Sequence, residues 1–461
     1  MRRILFTLLL AACADRARPS VVLYDRGDFA GAARAADDGL AQHPKDDDLW
    51  KMKVRAALAL GDPDAVGKAY AGYVAAHGGD DTDFVRELST ATLRQALDST
   101  SVKLKLIAID AVQASELEAL AEAVGERMQE GDERVKAAAA VAVLHAYPQA
   151  PQVASDMLSA ENAEARRIAV DGIGKKVGKL ALADLEKAAN DPDPSVRAAA
   201  LHWIGQLRDP GALELLAKRL KDGDAGVRAA AVIAFGRVGM GDVPAVAKAA
   251  LADEQLAVRL AGLSVVKALG DEAWLVSLAT DPDPLVAAEA AADARRPDLA
   301  LPAIGKAAAS SSPWQTRAAA ANLAVRALGA TEAKPVLVEL AAAHEPAVAL
   351  AAAAALMHAN AAADGAPVLE RLLADPDVGA QAAAELAQQH GDLGAKGAAA
   401  LDAIIRAGTS VEARAAAARL CATAHRITPG LVAALADHDG VVRATAAAAL
   451  AALSKEPAHW I

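Results

Sequence analysis

A single pattern of polar and apolar positions recurs through most of the chain. Its clearest copy, DPDPSVRAAALHWIG, covers residues 191–205. Aspartate caps the start of a helix and proline suits its first turn, while the apolar residues three and seven places after Arg197 lie on one helix face. Each copy is long enough for two helices and two turns, so the pattern predicts one helical hairpin per copy.

We take the position of Arg197 as the anchor of each copy. Twelve copies follow one another at a mean interval of about 31 residues, which predicts a quasi-one-dimensional stack of hairpins rather than three separate domains. The anchors are Lys103, Lys136, Arg166, Arg197, Arg228, Arg259, Ala287, Arg317, Ala349, Gln381, Arg414 and Arg443.

Two columns of this alignment predict how the hairpins pack. Three residues after the anchor, every copy except the one with Leu106 has alanine or glycine, which lets neighbouring helices approach closely. Seven residues after the anchor, most copies have a larger core residue: Val143, Ile173, Ile204, Phe235, Val266, Leu356, Cys421 and Leu450. The second column is broken at Asp110, Ala294, Ala324 and Gln388.

The segment of residues 21–82 has a different period. Gly27 and Gly61 lie 34 residues apart, and Pro44 and Trp50 stand at a repeat end and in the next first helix. The segment resembles two tetratricopeptide repeats, one good and one degenerate. The resemblance implies either a short peptide-binding groove or a cap for the hairpins that follow.

Residues 83–454 strongly resemble the HEAT-like repeats first named from bilin lyases, on the acidic DPDP turn and the basic anchor. The resemblance implies an all-α fold, an α-α superhelix (HEAT-like solenoid) with N-terminal tetratricopeptide-like hairpins. It also implies hydrogen bonds from the anchor arginine of one repeat to the acidic turn of the next.

Three anchors in the stretch of residues 280–395 cannot make that hydrogen bond, namely Ala287, Ala349 and Gln381. The stretch is then either the softer part of the superhelix, or it is held by alanine packing alone.

The composition and the net charge of the chain exclude several fold and partner classes. Alanine accounts for 126 of the 461 residues and aromatic residues for 3%, which predicts thin, closely packed helices and excludes a long β architecture. The net charge of −11 argues against a nucleic-acid partner and against electrostatic binding to anionic lipid. We therefore expect a protein or peptide partner, with no nucleic acid and no small-molecule substrate.

The chain opens MRRILFTLLLAAC, a basic start followed by a short apolar run and small residues, which predicts a secretory signal peptide over residues 1–12. The box LAAC at residues 10–13 resembles the lipobox of bacterial lipoproteins. The resemblance implies lipidation of Cys13, a tether over residues 13–20 and attachment to the cell envelope through lipid alone. Ala14, the residue after the cysteine, indicates the outer membrane. The alternative to a lipobox is an ordinary signal peptide that happens to contain a cysteine.

Candidate catalytic chemistry is sparse. His344-Glu345 is the single His-Glu pair, whereas deoxyhypusine hydroxylase, which is also built of HEAT repeats, binds two irons through four such pairs. No predicted helix has two histidines at metal-binding spacing, and Cys421 lies in a core column, as a buried thiol would. We predict no catalytic, cofactor or metal site and no enzyme.

These observations together predict a non-enzymatic protein-binding scaffold, lipid-anchored in a bacterial envelope. A maturation factor or lyase-like protein is an alternative that polar groups converging in a groove would favour. A structural envelope spacer without a ligand is another. The tail of residues 455–461 is expected either to cap the last repeat or to bind a partner.

Overall fold

The computed structural model describes residues 16–455. Within that range the chain forms α-helices, short 3-10 turns and connecting loops, with no strand, so the predicted all-α fold is confirmed. Cys13, the predicted signal peptide and residues 456–461 of the tail lie outside the described residues.

The helices follow one another in antiparallel pairs. The first are α1 (Arg18–Asp25), α2 (Phe29–Gln42), α3 (Asp47–Leu60), α4 (Pro63–His77), α5 (Thr82–Leu97), α6 (Val102–Ser115) and α7 (Ala121–Glu126). The middle ones are α8 (Glu133–Ala142), α9 (Ala150–Asp156), α10 (Ala163–Val177), α11 (Leu182–Ala188), α12 (Pro194–Leu207), α13 (Leu213–Arg219), α14 (Ala225–Val238), α15 (Val243–Leu251), α16 (Leu256–Leu269), α17 (Glu272–Leu278), α18 (Pro284–Asp293), α19 (Pro297–Ala308), α20 (Trp314–Leu328), α21 (Ala330–Ala341), α22 (Pro346–His358) and α23 (Ala362–Leu372). The last are α24 (Gly379–Ala387), α25 (Gly391–Ala407), α26 (Val411–Thr423), α27 (Pro429–Ala433) and α28 (Gly440–Leu453).

The chain divides into two compact units. The first contains the residues up to Ala123 together with those from Gly379 onward, and the second is Val124–Val378. Each unit is built of stacked helical hairpins.

The turn before each second helix determines where that helix begins. The carboxylates of Asp193, Asp224 and Asp439 each accept a backbone N–H of the first helical turn. In ten of the twelve copies the anchor is then the fourth residue of its helix. Because long side chains of a helix lean towards its N-terminus, the anchor reaches back to the turn.

Arginine anchors link successive copies by hydrogen bonds that we call the arginine ladder. The Nε and Nη2 of Arg197 donate to the carboxylate of Asp222 at 3.0 and 2.7 Å, and its Nη1 donates to the carbonyls of Asp191 and Pro192 at 2.9 Å. The bonds that the HEAT resemblance implies are therefore present. The same two-point bond to a carboxylate links Arg166 to Asp191, Arg228 to Asp253 and Arg414 to Asp437.

The register predicted for the first copy is wrong by two residues. Lys105, not Lys103, is the fourth residue of α6, and it is buried while Lys103 is exposed. With Lys105 as the anchor, the two columns fall on buried Ala108 and Val112, and both exceptions in this copy disappear. The reason is the cap at Ser101, whose Oγ accepts a backbone N–H of the first turn and so sets the helix start.

Between residues 280 and 395 the ladder is incomplete, as the sequence predicted. The second helices α18 and α24 have 10 and 9 residues, whereas α12, α14 and α16 have 14 each. Even so, alanine-rich packing fills much of this stretch, since Ala288, Ala291, Ala321 and Ala352 are all fully buried in one cluster. Two of the second helices in this stretch are therefore short, while α20 and α22 have 15 and 13 residues, and whether the stretch is softer stays a prediction.

In the first unit, helices from the two ends of the chain are neighbours. Helix α28 packs against both α5 and α6, and α27 packs against α4. The Nε of Arg86 donates to the carbonyl of Ser454 at 3.1 Å, and the Nζ of Lys455 lies 3.0 Å from the Glu116 carboxylate. The last copy is thereby joined to the first, and the space between them holds the cavity described next.

Candidate ligand-binding cavity

A cavity of about 660 Å³ lies within the first unit, between the N-terminal hairpins and the last copy. Its walls come from four stretches of the chain, and the last of them lies more than 300 residues after the other three. The lining residues are Tyr24, Phe29, Arg55, Leu58, Ala59, Leu60, Gly61, Glu87, Leu88, Ala91, Thr92, Gln95, Leu435, Ala436, Asp437, His438 and Arg443.

The apolar wall is formed at two helix turns that each contain a glycine with positive φ. Gly27 and Gly61 have φ values of 80° and 68°, a left-handed conformation that glycine adopts without a steric penalty. These turns bring Tyr24 against Phe29, with ring centroids 5.1 Å apart, and leave Leu60 49% exposed. The wall therefore offers aromatic and aliphatic surface to a ligand.

Most charges of the cavity are paired within the protein. Arg55 donates from Nε and Nη2 to the carboxylate of Glu87 at 2.7 and 2.6 Å, and its guanidinium lies 5.2 Å from the centre of the Phe84 ring. On the opposite wall, Asp437 accepts the ladder bonds of Arg414 at 2.9 and 3.2 Å. These pairs fix the shape of the walls and leave few free ionic groups.

A smaller cavity of about 240 Å³ adjoins the large one. Thr92, Gln95 and Arg443 line both spaces, so the two spaces meet at these side chains. These side chains therefore form the boundary between the two spaces.

His438 and Asp437 are neighbouring ionisable residues in the lining of the cavity. His438 has a side chain that is 85% exposed, and its nearest acid, Asp437, is already held by Arg414. No group of three or more His, Cys, Asp or Glu side chains that could hold a metal ion occurs among the described residues. Aromatic surface, backbone groups and paired charges suit an extended polypeptide.

The candidates singled out in the sequence lie elsewhere. His344 is exposed, and the carboxylate of Glu345 accepts a hydrogen bond from the ladder residue Arg317, which gives the acid a structural role. Cys421 is fully buried, and burial raises the pKa of its thiol to about 12. The structure brings none of these residues to the cavity.

The residues of the cavity were not identified from the sequence. They come together because α28 packs on α5 and α6, a contact between copies more than 300 residues apart. One signal was readable: Arg443 is a basic anchor like Arg197, the residue type that holds an acidic turn elsewhere in the ladder.

Comparisons with known proteins give one family match. Residues 151–236 match the family model of HEAT repeats, and no curated protein matches the chain. This match lies in the second unit and agrees with the part of the ladder that runs through Arg166 and Arg197.

Solved structures with similar folds are remote. An engineered protein is 21% identical with a TM-score of 0.24, and the alignment covers 80% of this chain and 98% of that one. The myosin chaperone UNC-45 from C. elegans, solved with an Hsp90 peptide, is 14% identical with a TM-score of 0.33, covering 89% and 60%. Kap121p bound to Pho4p is 12% identical with a TM-score of 0.31, covering 85% and 52%. The chain thus spans about half to three fifths of these two natural proteins.

Proposed function

We propose that this protein is a non-enzymatic protein-binding scaffold, held at a bacterial envelope membrane by a lipid on Cys13, and that a segment of its partner lies in the large cavity. The observation that carries the proposal is the cavity of about 660 Å³, with its aromatic wall and internally paired charges. Stacked hairpins in general provide extended binding surfaces.

Binding is favoured over catalysis because the acidic side chains of the cavity are paired with arginines of the protein itself. An enzyme site needs a nucleophile or acid–base pair with perturbed pKa values in reach of a substrate. Here the acids Glu87 and Asp437 are each held by an arginine. These pairs support a scaffold over a maturation factor or lyase-like protein.

The anchor is supported by the sequence LAAC at residues 10–13. No helix among residues 16–455 is long and apolar enough to cross a membrane. A chain with two or three acyl groups on Cys13 would be held stably without a membrane-binding surface. Wild-type protein should incorporate labelled fatty acid and enter the detergent phase, whereas Cys13→Ala should do neither; equal labelling of both would disprove the anchor.

Partner binding is tested by affinity capture of the full chain from detergent-solubilised envelopes. The cavity variant is Leu60→Asp, and its matched control is Leu180→Asp, at a leucine that is 90% exposed in the second unit. We expect one protein to be retained by the wild type and the control and lost by Leu60→Asp. Equal retention by both variants would contradict the cavity as the site, and retention of no protein by any form would favour the structural spacer.

A further inference from the structure

The arginine ladder ends at Arg443 without the carboxylate that its internal members hold. Arg443 is the fourth residue of α28, and its Nη1 donates to the carbonyl of Asp437, as the Nη1 of Arg197 does to Asp191. In four internal copies the Nε and Nη2 edge holds an aspartate of the next copy, namely those of Arg166, Arg197, Arg228 and Arg414. Among residues 16–455, no carboxylate accepts a hydrogen bond from that edge of Arg443.

The position of the missing aspartate is occupied by Ser99. Helix α28 packs on α6, the second helix of the first copy, so this copy takes the place of the next one in the stack. The backbone N–H of Ser101 donates to Ser99 Oγ at 3.1 Å, just as the N–H of Asp193 donates to the Asp191 carboxylate at 2.8 Å. Ser99 therefore has the ladder position of an aspartate but not its charge.

The space beside Arg443 is open. Arg443, Ser99 and Gln95 all line the small cavity of about 240 Å³. Gly440 helps to keep it open, because a Cβ there would lie 2.9 Å from Leu104 Cδ1 and 3.6 Å from the Nη2 of Arg443. The guanidinium of Arg443 thus lines a space that borders the large cavity.

We propose that Arg443 and Ser99 form a carboxylate-binding site for the partner polypeptide. The guanidinium supplies a two-point bond to the carboxylate, which is the strongest common pairing for that group. The hydroxyl of Ser99 and the amide of Gln95 supply further donors. Apolar residues beside the carboxylate would lie against Tyr24 and Leu60. This inference rests on the proposed function and adds the chemistry of the ligand.

The carboxylate could belong to an Asp or Glu side chain or to the C-terminus of the partner. To distinguish these sources, the full chain would be used to select peptides from three synthetic pools of random hexapeptides, and the bound peptides would be identified by mass spectrometry. The first has free C-termini and no Asp or Glu, the second has amidated C-termini with Asp and Glu, and the third is amidated and lacks both acids.

The wild type should enrich peptides from the first or the second pool, and the enriched pool identifies the source of the carboxylate. Arg443→Gln should lower the affinity of the selected peptides at least about tenfold. Ser99→Asp should do the same, because it restores the internal carboxylate, and it should also raise the unfolding temperature. The neutral control Ser99→Asn should keep binding.

Three outcomes would count against the site, and they differ in what they say of the proposed function. Enrichment of the third pool equally well, with no effect of Arg443→Gln, would show that peptides bind without a carboxylate and would leave the scaffold proposal standing. No enrichment from any pool would contradict peptide binding itself. An unchanged unfolding temperature and unchanged binding in Ser99→Asp would show that Ser99 does not occupy the ladder position.

Discussion

Arg197→Met tests how much the arginine ladder stabilises the stack. The change removes two bonds to Asp222 and two to backbone carbonyls, while methionine retains most of the apolar stem. Loss of one partner of a fully buried ion pair costs about 3–5 kcal/mol, and an exposed pair contributes about 0–1 kcal/mol. The side chains of Arg197 and Asp222 are 14% and 4% exposed, but Asp222 keeps bonds from Arg219 and from the Asp224 N–H. We therefore expect a loss of about 2–3 kcal/mol in the free energy of local opening.

Hydrogen exchange followed by mass spectrometry measures that loss where it occurs. Amides of α12 and α14 should exchange faster in Arg197→Met, because a repeat array is stabilised by each hairpin and its neighbouring interfaces. The matched control is Arg296→Met, which removes an ion pair to Asp298 whose side chains are 44% and 58% exposed, and it should leave exchange unchanged. Equal effects of the two substitutions would refute the stabilising role of the ladder.

The stability of Arg197→Met should also fall less than that of the wild type as the pH is lowered. Burial alone would raise the pKa of Asp222, but hydrogen bonds from Arg197 and from the Asp224 N–H bring it below its ordinary value. A lowered pKa in the folded state stabilises the fold above the pKa of the unfolded chain, about 3.9, and this contribution is lost as the pH falls through the folded-state pKa. The stability difference between wild type and Arg197→Met should therefore narrow below about pH 4, and a constant difference would contradict the assignment.

Three further predictions follow from the packing. Amides of residues 280–395 should exchange faster than those of residues 185–270, and uniform protection would show that alanine packing replaces the ladder. Gly205→Ala should destabilise the protein, because the new Cβ would lie 2.7 Å from the Cα of Ala234. In Gly305→Ala the new Cβ meets no atom within 4 Å, and this variant should have a higher unfolding temperature because alanine has the higher helix propensity. Calorimetry that shows equal shifts of the unfolding temperature in the two variants would contradict this. Cys421 should resist alkylation at pH 8 until the protein unfolds, since the reactive thiolate is scarce at a pKa of about 12, and rapid labelling of folded protein would refute its burial.

The ladder could be expected from the sequence because the HEAT resemblance implies bonds between adjacent copies. The separation of 25 residues between arginine and aspartate holds for Arg166, Arg197 and Arg228, whereas it is 24 for Arg259 and 23 for Arg414. The first copy lacks the acidic turn, and both Lys103 and Lys105 fit a basic anchor. Its register depended on the cap at Ser101, which the repeat pattern does not specify.

The cavity could not be predicted from repeats alone. A repeat pattern specifies the contacts of each copy with the next and does not say where the last helix packs. Helix α28 packs on α5 and α6, and this contact brings Arg443 to Gln95 and completes the walls around Leu60. Each of these residues is unremarkable within its own copy, so its role emerges from tertiary packing.

Photo-crosslinking from the large cavity would identify the protein that lies in it. A photoreactive phenylalanine analogue would replace Ala91, an exposed residue of α5 that lines the cavity, or the control Ala245, an exposed residue of α15 in the second unit. The full chain would be irradiated in intact envelopes and adducts identified by mass spectrometry. We expect one dominant protein adduct at Ala91, which is lost when Leu60→Asp is added, and no adduct at Ala245. The same adducts at both positions, or an adduct at Ala91 that survives Leu60→Asp, would contradict the cavity as the partner site.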